Sequence, residues 1–474
     1  MAASTNRGKE LLKNTGIIGF GTMCTKALAF LLLPLYTALL STSDYGTFDL
    51  VTTVGTLLVP IVNLQLSQAI FRFAAGARGD EEEMAAILTT VYIESGLLAV
   101  AYAVVFCAVA PLLSLPYKWV LLPYVLINVA LQLALYTARG VGDNVTYALG
   151  SFISASLTIA LNVVLLVGFS MGIDGMMVSC CLGPLFGTLV VSLRTRPWRH
   201  FKPSLWSGAR ARSLTRYALP LMPNEISWWA LQSADRVIVA SVLGTAANGL
   251  ISVANKFSTI YSTVFSVFNA SWTEQVILHY HDDDGKAFIR RTIDVMVRLF
   301  SGLFLLVLGA MPFAWPVIVN ASYNEAYGLV PFYMIAVYAN LFTGLVSPIY
   351  LVNNESRKVM EATLVSAAAS IAALIALFGP LGVYAAPVST MVGYGLVAVM
   401  RVVDVERRHM KIGLDPKVLA VTFALAGGTT ASFFWGGLPA NYVCLALCLA
   451  ACVGMNRSSA ASAMAMLKER KYRA

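Results

Sequence analysis

Charged residues are scarce in this 474-residue chain, at 12% of the sequence against 58% hydrophobic residues. A soluble globular protein carries roughly twice that share of charge. Runs of roughly 20 apolar residues recur from end to end, and each is long enough to cross the ~30 Å hydrocarbon core of a bilayer. A soluble fold is therefore excluded, and the sequence predicts a polytopic, all-α membrane protein.

The sequence lacks a phosphate-binding loop of the form G-x-x-x-x-G-K-[ST], and it has no long polar segment that would hold one. ATP-driven pumping within the chain is therefore excluded. The stretches "GFGTMC" and "GYGLVA" lie inside apolar runs, where glycines typically permit close helix contacts. No cofactor is predicted.

Cysteine is also infrequent, and all seven cysteines fall inside apolar runs, which argues against a disulfide framework. Cys444, Cys448 and Cys452 recur every four residues, so they lie on one face of a helix. A metal site is disfavoured here, because no histidine or carboxylate in this run joins the three thiols as a further ligand. These cysteines are predicted to be packing residues, and no metal site is predicted.

Hydropathy predicts about fourteen transmembrane helices. They lie at 14–39, 47–73, 86–110, 118–138, 145–169, 173–193, 217–243, 247–275, 291–318, 326–351, 359–378, 381–400, 417–436 and 439–455.

Both chain ends are predicted to be cytoplasmic. The N-terminal "MAASTNRGKELLKNTG" lacks a small-residue cleavage site and leads into a hydrophobic run too long for a signal peptide. With this tail inside, 28 of the 33 basic residues fall in inner segments, and Lys118 alone falls in an outer loop. A basic inner face suits anionic membrane lipids, so the net charge of +9 requires no nucleic-acid partner.

The longest polar interruption, at 194–216, predicts how the chain is divided. We interpret it as a basic cytoplasmic linker between two pseudo-symmetric six-helix bundles, 1–193 and 217–403. Residues 404–474 would then hold two additional helices and a basic cytoplasmic tail.

Two short stretches suggest that the bundles arose by duplication. "LLSTSDYG" (39–46) and "VLGTAANG" (242–249) share Leu, Thr and Gly at one spacing, separated by 203 residues. Such internal repeats are typical of transporters.

Charged and polar residues inside the predicted spans need an explanation, because a charge near mid-bilayer costs roughly 2.5–3.5 kcal/mol. Glu225, Trp229, Gln232 and Arg236 fall on one face of the seventh helix, with Asp235 on its flank. Other helices carry similar polar stripes; their members include Lys26, Asp49, Thr53, Arg72 and Lys256. So many polar stripes cannot all face lipid, and they predict a shared, hydrated cavity.

The sign of the charge in this cavity indicates its ligand. Guanidinium and ammonium groups suit phosphate oxygens, so an anionic, phosphate-bearing substrate is predicted. The predicted substrate-binding residues are Lys26, Arg72, Trp229, Gln232, Arg236 and Lys256. The predicted ion-coupling residues are Glu94, Glu225 and Asp235.

A structural interpretation stands beside the functional one for these charges. Asp235 and Arg236 would then be an internal ion pair that locks helices together, and Asp294–Arg298 at i, i+4 has the spacing of an interfacial pair. Glu94, alone in the third helix, would be a protonated acid rather than a proton relay.

The stretch "LLKNTGIIGFGTMCTKALAFLLLPLYTALLSTSDYGTFDLV" resembles the opening of Wzx-type polysaccharide flippases of the multidrug/oligosaccharidyl-lipid/polysaccharide (MOP) exporter superfamily. "SQAIFRF" and "LPLMPNEISWWALQSADRVIVASVLGTAANGLISVANK" are similar to that family's second-helix and second-half signatures. The resemblance implies two six-helix bundles around a central cavity, plus two C-terminal helices. It also implies that the protein moves an undecaprenyl-pyrophosphate-linked oligosaccharide to the outer leaflet by alternating access.

The resemblance further implies a monomer in the bacterial cytoplasmic membrane, with H⁺ or Na⁺ as the coupling ion and cell-surface polysaccharide synthesis as its purpose. Drug-exporting relatives carry an acidic coupling residue in the first helix, whereas this helix has only Lys26.

Two other functions remain open. A multidrug antiporter of the same superfamily would share the fold, but a cationic lining disfavours it. A membrane-embedded polysaccharide polymerase or ligase would be an enzyme and would need a sizeable outer loop for its active site. The outer connections here are short, as in "STSDYG" and "GTAANG", so no enzymatic activity is predicted.

Overall fold

A computed structural model describes the backbone of residues 30–473 and the side chains of residues 30–457. Throughout these residues the chain forms helices joined by short turns, and none of them is in a β-strand. The predicted all-α fold class is thereby confirmed. The chain forms two compact units, one ending at Gly249 and the other beginning at Leu250.

The helices of the first unit follow one another with short connections. They are α1 (Leu33–Leu39), α2 (Thr42–Val62), α3 (Leu66–Gly76), α4 (Glu81–Val109), α5 (Leu121–Val141), α6 (Asn144–Val163), α7 (Gly172–Thr195), α8 (Gly208–Ala218) and α9 (Met222–Leu243).

The remaining helices belong largely to the second unit. They are α10 (Thr245–His279), which begins in the first unit, α11 (Gly285–Ile318), α12 (Val330–Val352), α13 (Ser356–Leu381), α14 (Ala385–Arg408), α15 (Pro416–Trp435) and α16 (Leu438–Arg473). A 3₁₀ segment, Ala321–Leu329, precedes α12.

Each predicted span from the second to the fourteenth coincides with helical structure. Within the described residues, ten helical stretches are long and apolar enough to cross a membrane, and the longest contains both α13 and α14. The helices α9 and α10 fall outside this group because Asp235, Arg236 and Lys256 reduce their hydropathy. The predicted first span is described only from residue 30, where its last part forms α1.

The second predicted span is interrupted, contrary to the single helix expected at 47–73. Leu64 and Gln65 both adopt left-handed backbone conformations, with φ of 47° and 58°. Such residues cost roughly 1–2 kcal/mol each, so the surrounding structure must maintain them. Asn63 is buried beside the break and its Oδ1 accepts a hydrogen bond from Ser95 Oγ at 3.1 Å.

The predicted linker at 194–216 packs along α4. Thr89 Oγ1 accepts a hydrogen bond from the backbone N–H of Lys202 at 2.9 Å. Arg210 Nη2 lies 2.7 Å from Glu83 Oε2. The domain boundaries predicted on either side of this segment stay predictions.

The cysteines of α16 pack against glycines of α11, as their spacing predicts. A Cβ added to Gly302 would lie 2.7 Å from Cys452 Sγ, and one added to Gly309 would lie 3.3 Å from Cys448. The small residues therefore set a close approach between these helices, and the packing role of Cys448 and Cys452 is confirmed.

The predicted pair Asp294–Arg298 is confirmed as an interfacial pair in the second unit. Arg298 Nε lies 2.9 Å from Asp294 Oδ2, within α11. Arg298 Nη2 also lies 2.8 Å from Asp415 Oδ2, at the start of α15. One guanidinium thus joins two helices through its fork of donors.

The predicted topology can be tested with single cysteines in a background that lacks the native ones. Asn248 lies at the predicted outer end of the eighth span, but the structure buries this residue completely, so a cysteine there would be inaccessible in this conformation. Gly437, in the exposed turn between α15 and α16, is the better outer position. A membrane-impermeant maleimide added to intact cells is expected to label Gly437→Cys and not Gly208→Cys. Labelling of Gly208→Cys from outside would contradict cytoplasmic termini.

Candidate functional site

The polar faces of α2 and α9 contact each other in the first unit. Arg236 Nη1 donates a hydrogen bond to Asp49 Oδ1 at 3.0 Å, and Trp229 Nε1 donates to the Thr53 carbonyl at 3.1 Å. From the first contact to the second, residue numbers rise along α2 and fall along α9, so the two helices run antiparallel. Two of the polar stripes that the sequence predicts are therefore brought together.

The Arg236–Asp49 ion pair is largely buried. The Arg236 side chain is 19% exposed and the Asp49 side chain 8% exposed. Arg236 lies seven residues before the end of α9, or about 10 Å along the helix axis. Removing one partner from such a pair leaves an uncompensated charge, which typically costs about 3–5 kcal/mol.

Local sequence explains how α9 places this arginine. The helix follows a 3₁₀ turn at Leu219–Leu221 and carries Pro223 in its first turn, where the missing N–H has no helical partner to lose. It ends at Leu243 because Gly244 adopts φ of +88°, a conformation that favours glycine. The chain then turns directly into α10.

A second donor holds the other oxygen of the Asp49 carboxylate. Asn248 Nδ2 lies 3.4 Å from Asp49 Oδ2 and donates a shorter hydrogen bond, 2.8 Å, to the Gly46 carbonyl. Asn248 is fully buried. The carboxylate is thus held by donors from two directions, by Arg236 and by Asn248.

The two copies of the short repeat contact each other reciprocally, about one turn of α2 before Asp49. A Cβ added to Gly46 would lie 1.8 Å from the Thr245 carbonyl oxygen, and a Cβ added to Gly249 would lie 2.0 Å from the Thr42 carbonyl oxygen. Gly249 lies 203 residues after Gly46, and Thr245 lies 203 residues after Thr42, so each contact is the counterpart of the other. This self-complementary arrangement supports the internal duplication.

Arg72 and Gln232, two predicted substrate-binding residues, are both exposed. The Arg72 guanidinium lies 4.3 Å from the centre of the Tyr217 ring, which belongs to α8. This cation–π contact fixes the arginine beside the C-terminal half of the interrupted second span. Trp229 is half-buried through its contact with α2.

The two predicted lysines are placed differently. Lys256 is half-buried on α10, in the part of that helix that belongs to the second unit. Lys26 lies outside the described residues. The substrate-binding role of both lysines stays a prediction.

The three predicted coupling acids have distinct surroundings. Glu94 Oε1 accepts a hydrogen bond from Trp206 Nε1 at 3.2 Å, so a side chain of the 194–216 segment covers it. Glu225 is exposed on α9. Asp235 is buried, and its Oδ1 accepts a hydrogen bond from the backbone N–H of Arg236 at 2.9 Å.

The sequence places Asp49 in a polar stripe but does not indicate its pairing with Arg236. The sequence suggests Asp235 as the partner because the two residues are adjacent. Adjacent side chains point to different sides of a helix, and the guanidinium instead reaches across to α2. The i, i+4 spacing of Asp49 and Thr53 does indicate a polar face on α2 that could contact another polar helix.

A separate titratable cluster lies in the second unit. Ligand atoms of Glu355, Asp404 and His409 lie within 4.8 Å of one another. Lys358 Nζ is 2.7 Å from Glu355 and Arg408 Nε is 3.0 Å from Asp404. The hydrogen bond from Lys358 lowers the pKa of Glu355. Each carboxylate already has a protein cation, so this cluster is an ion-pair network.

Residues 11–272, more than half of the chain, match the family described as "Polysaccharide biosynthesis protein". The chain belongs to this polysaccharide biosynthesis family. No curated protein sequence matches the chain. The match covers α2, α9 and most of α10, and therefore every residue of the Arg236–Asp49 contact.

Solved structures show the fold of this family member. Lipid II flippase MurJ, in an inward closed conformation, is 13% identical, with 93% of this chain and 99% of that chain covered and a TM-score of 0.65. An inward-facing multidrug resistance MATE family transporter of the MOP superfamily is 16% identical, with 81% and 94% covered and a TM-score of 0.63. The chain thus shares the fold of these two transporters, and the predicted resemblance to a polysaccharide family is confirmed. With ten helical stretches long and apolar enough to cross a membrane among its described residues, it is a multi-pass membrane protein.

Proposed function

We propose that this protein is a flippase that moves an undecaprenyl-pyrophosphate-linked oligosaccharide from the cytoplasmic to the outer leaflet of the bacterial cytoplasmic membrane. The family membership supports a role in cell-surface polysaccharide synthesis. The fold shared with a structure named as a lipid II flippase supports lipid-linked cargo. Transport rather than catalysis is proposed, with the chain acting as a monomer and both termini in the cytoplasm.

The observation that carries this proposal is the largely buried Arg236–Asp49 pair. A guanidinium held inside a membrane protein suits phosphate oxygens, because its fork of donors matches them bidentately. Nη1 of the Arg236 guanidinium makes the contact with Asp49. We propose that Asp49 holds the guanidinium in place until a pyrophosphate oxygen takes over this contact.

The other predicted cations would extend the path of the head group. Arg72 is exposed near the predicted cytoplasmic end of the second span, which suits first contact with a phosphate. Lys26 and Lys256 are proposed to act deeper in the membrane, with Arg236. Gln232 is exposed one helical turn from Arg236 and would contact either the pyrophosphate or the first sugar.

Alternating access requires the outer side of the protein to open and close. The reciprocal contact of Gly46 and Gly249 lies at the predicted outer ends of α2 and α10. We propose that this contact closes the outer side and that it separates when the cargo is released. The Asp49–Arg236 pair, directly beside it, would reform behind the departing phosphate.

Coupling to H⁺ or Na⁺ is proposed to involve Glu94, Glu225 or Asp235. The hydrogen bond between Glu94 and Trp206 supports a role for Glu94, because the indole N–H donates to a carboxylate more strongly than to a neutral acid. Asp235 is adjacent to the phosphate-binding residue, so its protonation would alter the local charge. Either acid would thereby link ion movement to cargo movement.

A multidrug antiporter is the second candidate, since one similar structure is named as a multidrug resistance transporter. Such a protein would bind cations, and the side-chain donors of Arg236 and Arg72 argue against this. A membrane-embedded polymerase or ligase receives less support, because the outer connections in the described residues are short.

Transport by the purified, full-length chain would distinguish these functions. In proteoliposomes, a fluorescent undecaprenyl-pyrophosphate-linked disaccharide is expected to exchange between leaflets at least tenfold faster than in protein-free vesicles. The fraction quenched by external dithionite measures this exchange. The same vesicles are expected not to accumulate a cationic dye under an imposed pH or Na⁺ gradient.

An uncharged control isolates the contribution of the phosphates. The same fluorophore on undecaprenol, which lacks pyrophosphate, is expected to move no faster with the protein than without it. Gradient-driven dye accumulation without lipid exchange would overturn the flippase proposal and favour the antiporter. Equal acceleration of both lipids would indicate nonspecific scrambling.

A further inference from the structure

A ridge on α14 ends in an arginine in the last turn of the helix. Val399, Val403 and Arg407 follow one another at i, i+4 and i+8 and are all exposed, so they lie along one face of the helix. The ridge is about 12 Å long at 1.5 Å per residue. The predicted topology places its arginine end at the cytoplasmic surface and its valines within the hydrocarbon.

Two cavities lie on either side of this ridge and share Val399 and Val403. A cavity of about 520 Å³ lies between α13 and α14, with Ala362 and Lys358 on its other wall. A second cavity, of about 270 Å³, lies between α14 and α15, and its walls include Phe342 and Phe423. Both cavities belong to the second unit, and the second one is lined only by apolar residues.

The charges at the larger cavity leave one cation without a matched acid. Glu361 is paired with Arg357, and Asp404 with Arg408. Lys358, across the cavity from Arg407, is paired with Glu355. Among residues 30–457, no carboxylate forms an ion pair with Arg407. The cavity therefore has an excess of positive charge at its polar end.

We propose that this ridge binds an anionic glycerophospholipid of the cytoplasmic leaflet, outside the proposed substrate path. The phosphate would contact Arg407, with Lys358 on the opposite wall. One acyl chain would lie in each of the two cavities, on either side of Val399 and Val403. A two-chain lipid matches this arrangement, because the larger cavity has a charged end for the head group and an apolar wall of Ala362, Val399 and Met400 for one chain. The second cavity, lined only by apolar residues, would hold the other chain. Basic pockets between membrane helices on the cytoplasmic side typically bind anionic head groups.

Lipid binding to the purified, full-length chain tests this site directly. The protein in mild detergent is titrated with dioleoyl phosphatidylglycerol or with dioleoyl phosphatidylcholine, and bound lipid is counted by native mass spectrometry. Phosphatidylglycerol is expected to bind more tightly than phosphatidylcholine, at one site per chain. Arg407→Gln is expected to weaken this binding about fivefold, the factor that corresponds to about 1 kcal/mol for one basic residue near a membrane surface.

Two further variants separate this site from general electrostatic attraction. Arg291→Gln removes an exposed cation at the same predicted surface but away from both cavities, and it is expected to leave binding unchanged. Val399→Trp fills the grooves without changing charge, and it is expected to weaken binding of phosphatidylglycerol although Arg407 remains.

Three outcomes would overturn the lipid site. Equal losses for Arg407→Gln and Arg291→Gln would indicate nonspecific attraction to a basic surface. Equal binding of the two lipids would remove the role of the anionic head group. Displacement of the lipid by millimolar inorganic phosphate, with unchanged binding by Val399→Trp, would assign the contact to free phosphate. None of these readouts depends on flipping, so the site and the proposed function can fail separately.

Discussion

Replacing Gly46 or Gly249 with alanine is expected to abolish the proposed transport while leaving the protein inserted in the membrane. A Cβ at Gly46 would lie 1.8 Å from the Thr245 carbonyl oxygen, and one at Gly249 would lie 2.0 Å from the Thr42 carbonyl oxygen. Backbone atoms cannot rotate away as a flexible side chain would, so the two segments must separate. Overpacking of this kind typically costs about 1–3 kcal/mol.

The cost would fall only on the conformation in which these segments touch. A conformation with the outer side open would be unaffected, so the equilibrium should shift toward it by roughly 5- to 150-fold. Asn248 reports this shift, since it is fully buried in the closed contact. An Asn248→Cys probe is expected to resist an external maleimide in the parent protein and to react in the presence of Gly46→Ala.

Gly96→Ala is the matched control for these variants. A Cβ added to Gly96, on α4, meets no atom within 4 Å, so transport and labelling should remain unchanged. Normal transport by both Gly46→Ala and Gly249→Ala would show that the reciprocal contact is not needed. Loss of membrane insertion in either variant would instead assign the contact to folding.

The reciprocal contact illustrates what the sequence could predict. Leu, Thr and Gly at a shared spacing suggested duplication, but spacing alone does not reveal that the two copies meet. The contact forms because each glycine lacks a Cβ and so allows a threonine carbonyl of the other copy to approach. Such an approach is set by the tertiary structure. Helix positions were predictable because apolar runs must match the thickness of the bilayer.

The interrupted second span and the partner of Arg236 were not predictable for a related reason. The run at 47–73 is apolar enough, despite Asn63 and Gln65, to predict one helix. The left-handed conformations of Leu64 and Gln65 depend on buried contacts beside them, such as that of Ser95 with Asn63. Likewise, the periodicity of α9 placed Arg236 on a polar face but did not identify which helix lies opposite.

Arg236→Ala is expected to reduce the proposed transport by roughly 10- to 150-fold. This range corresponds to the loss of one hydrogen bond to a charged group, about 1.5–3 kcal/mol. The same variant leaves the Asp49 carboxylate buried without its described cation, so the thermal stability of the purified protein should also fall. Arg236→Lys keeps the charge but loses the bidentate fork, and it should retain part of the transport.

The double variant Asp49→Ala/Arg236→Ala separates the two roles of the pair. Removing both charges also removes the buried carboxylate that the single variant deprives of Arg236, so stability is expected to recover toward that of the parent protein. Transport should stay low, because the phosphate contact is still absent. Asp49→Asn alone removes the competing carboxylate, so the pyrophosphate lipid should bind Arg236 more tightly and leave more slowly. If the double variant instead regains both stability and transport, Arg236 and Asp49 serve only to lock α9 to α2, and the phosphate must bind elsewhere.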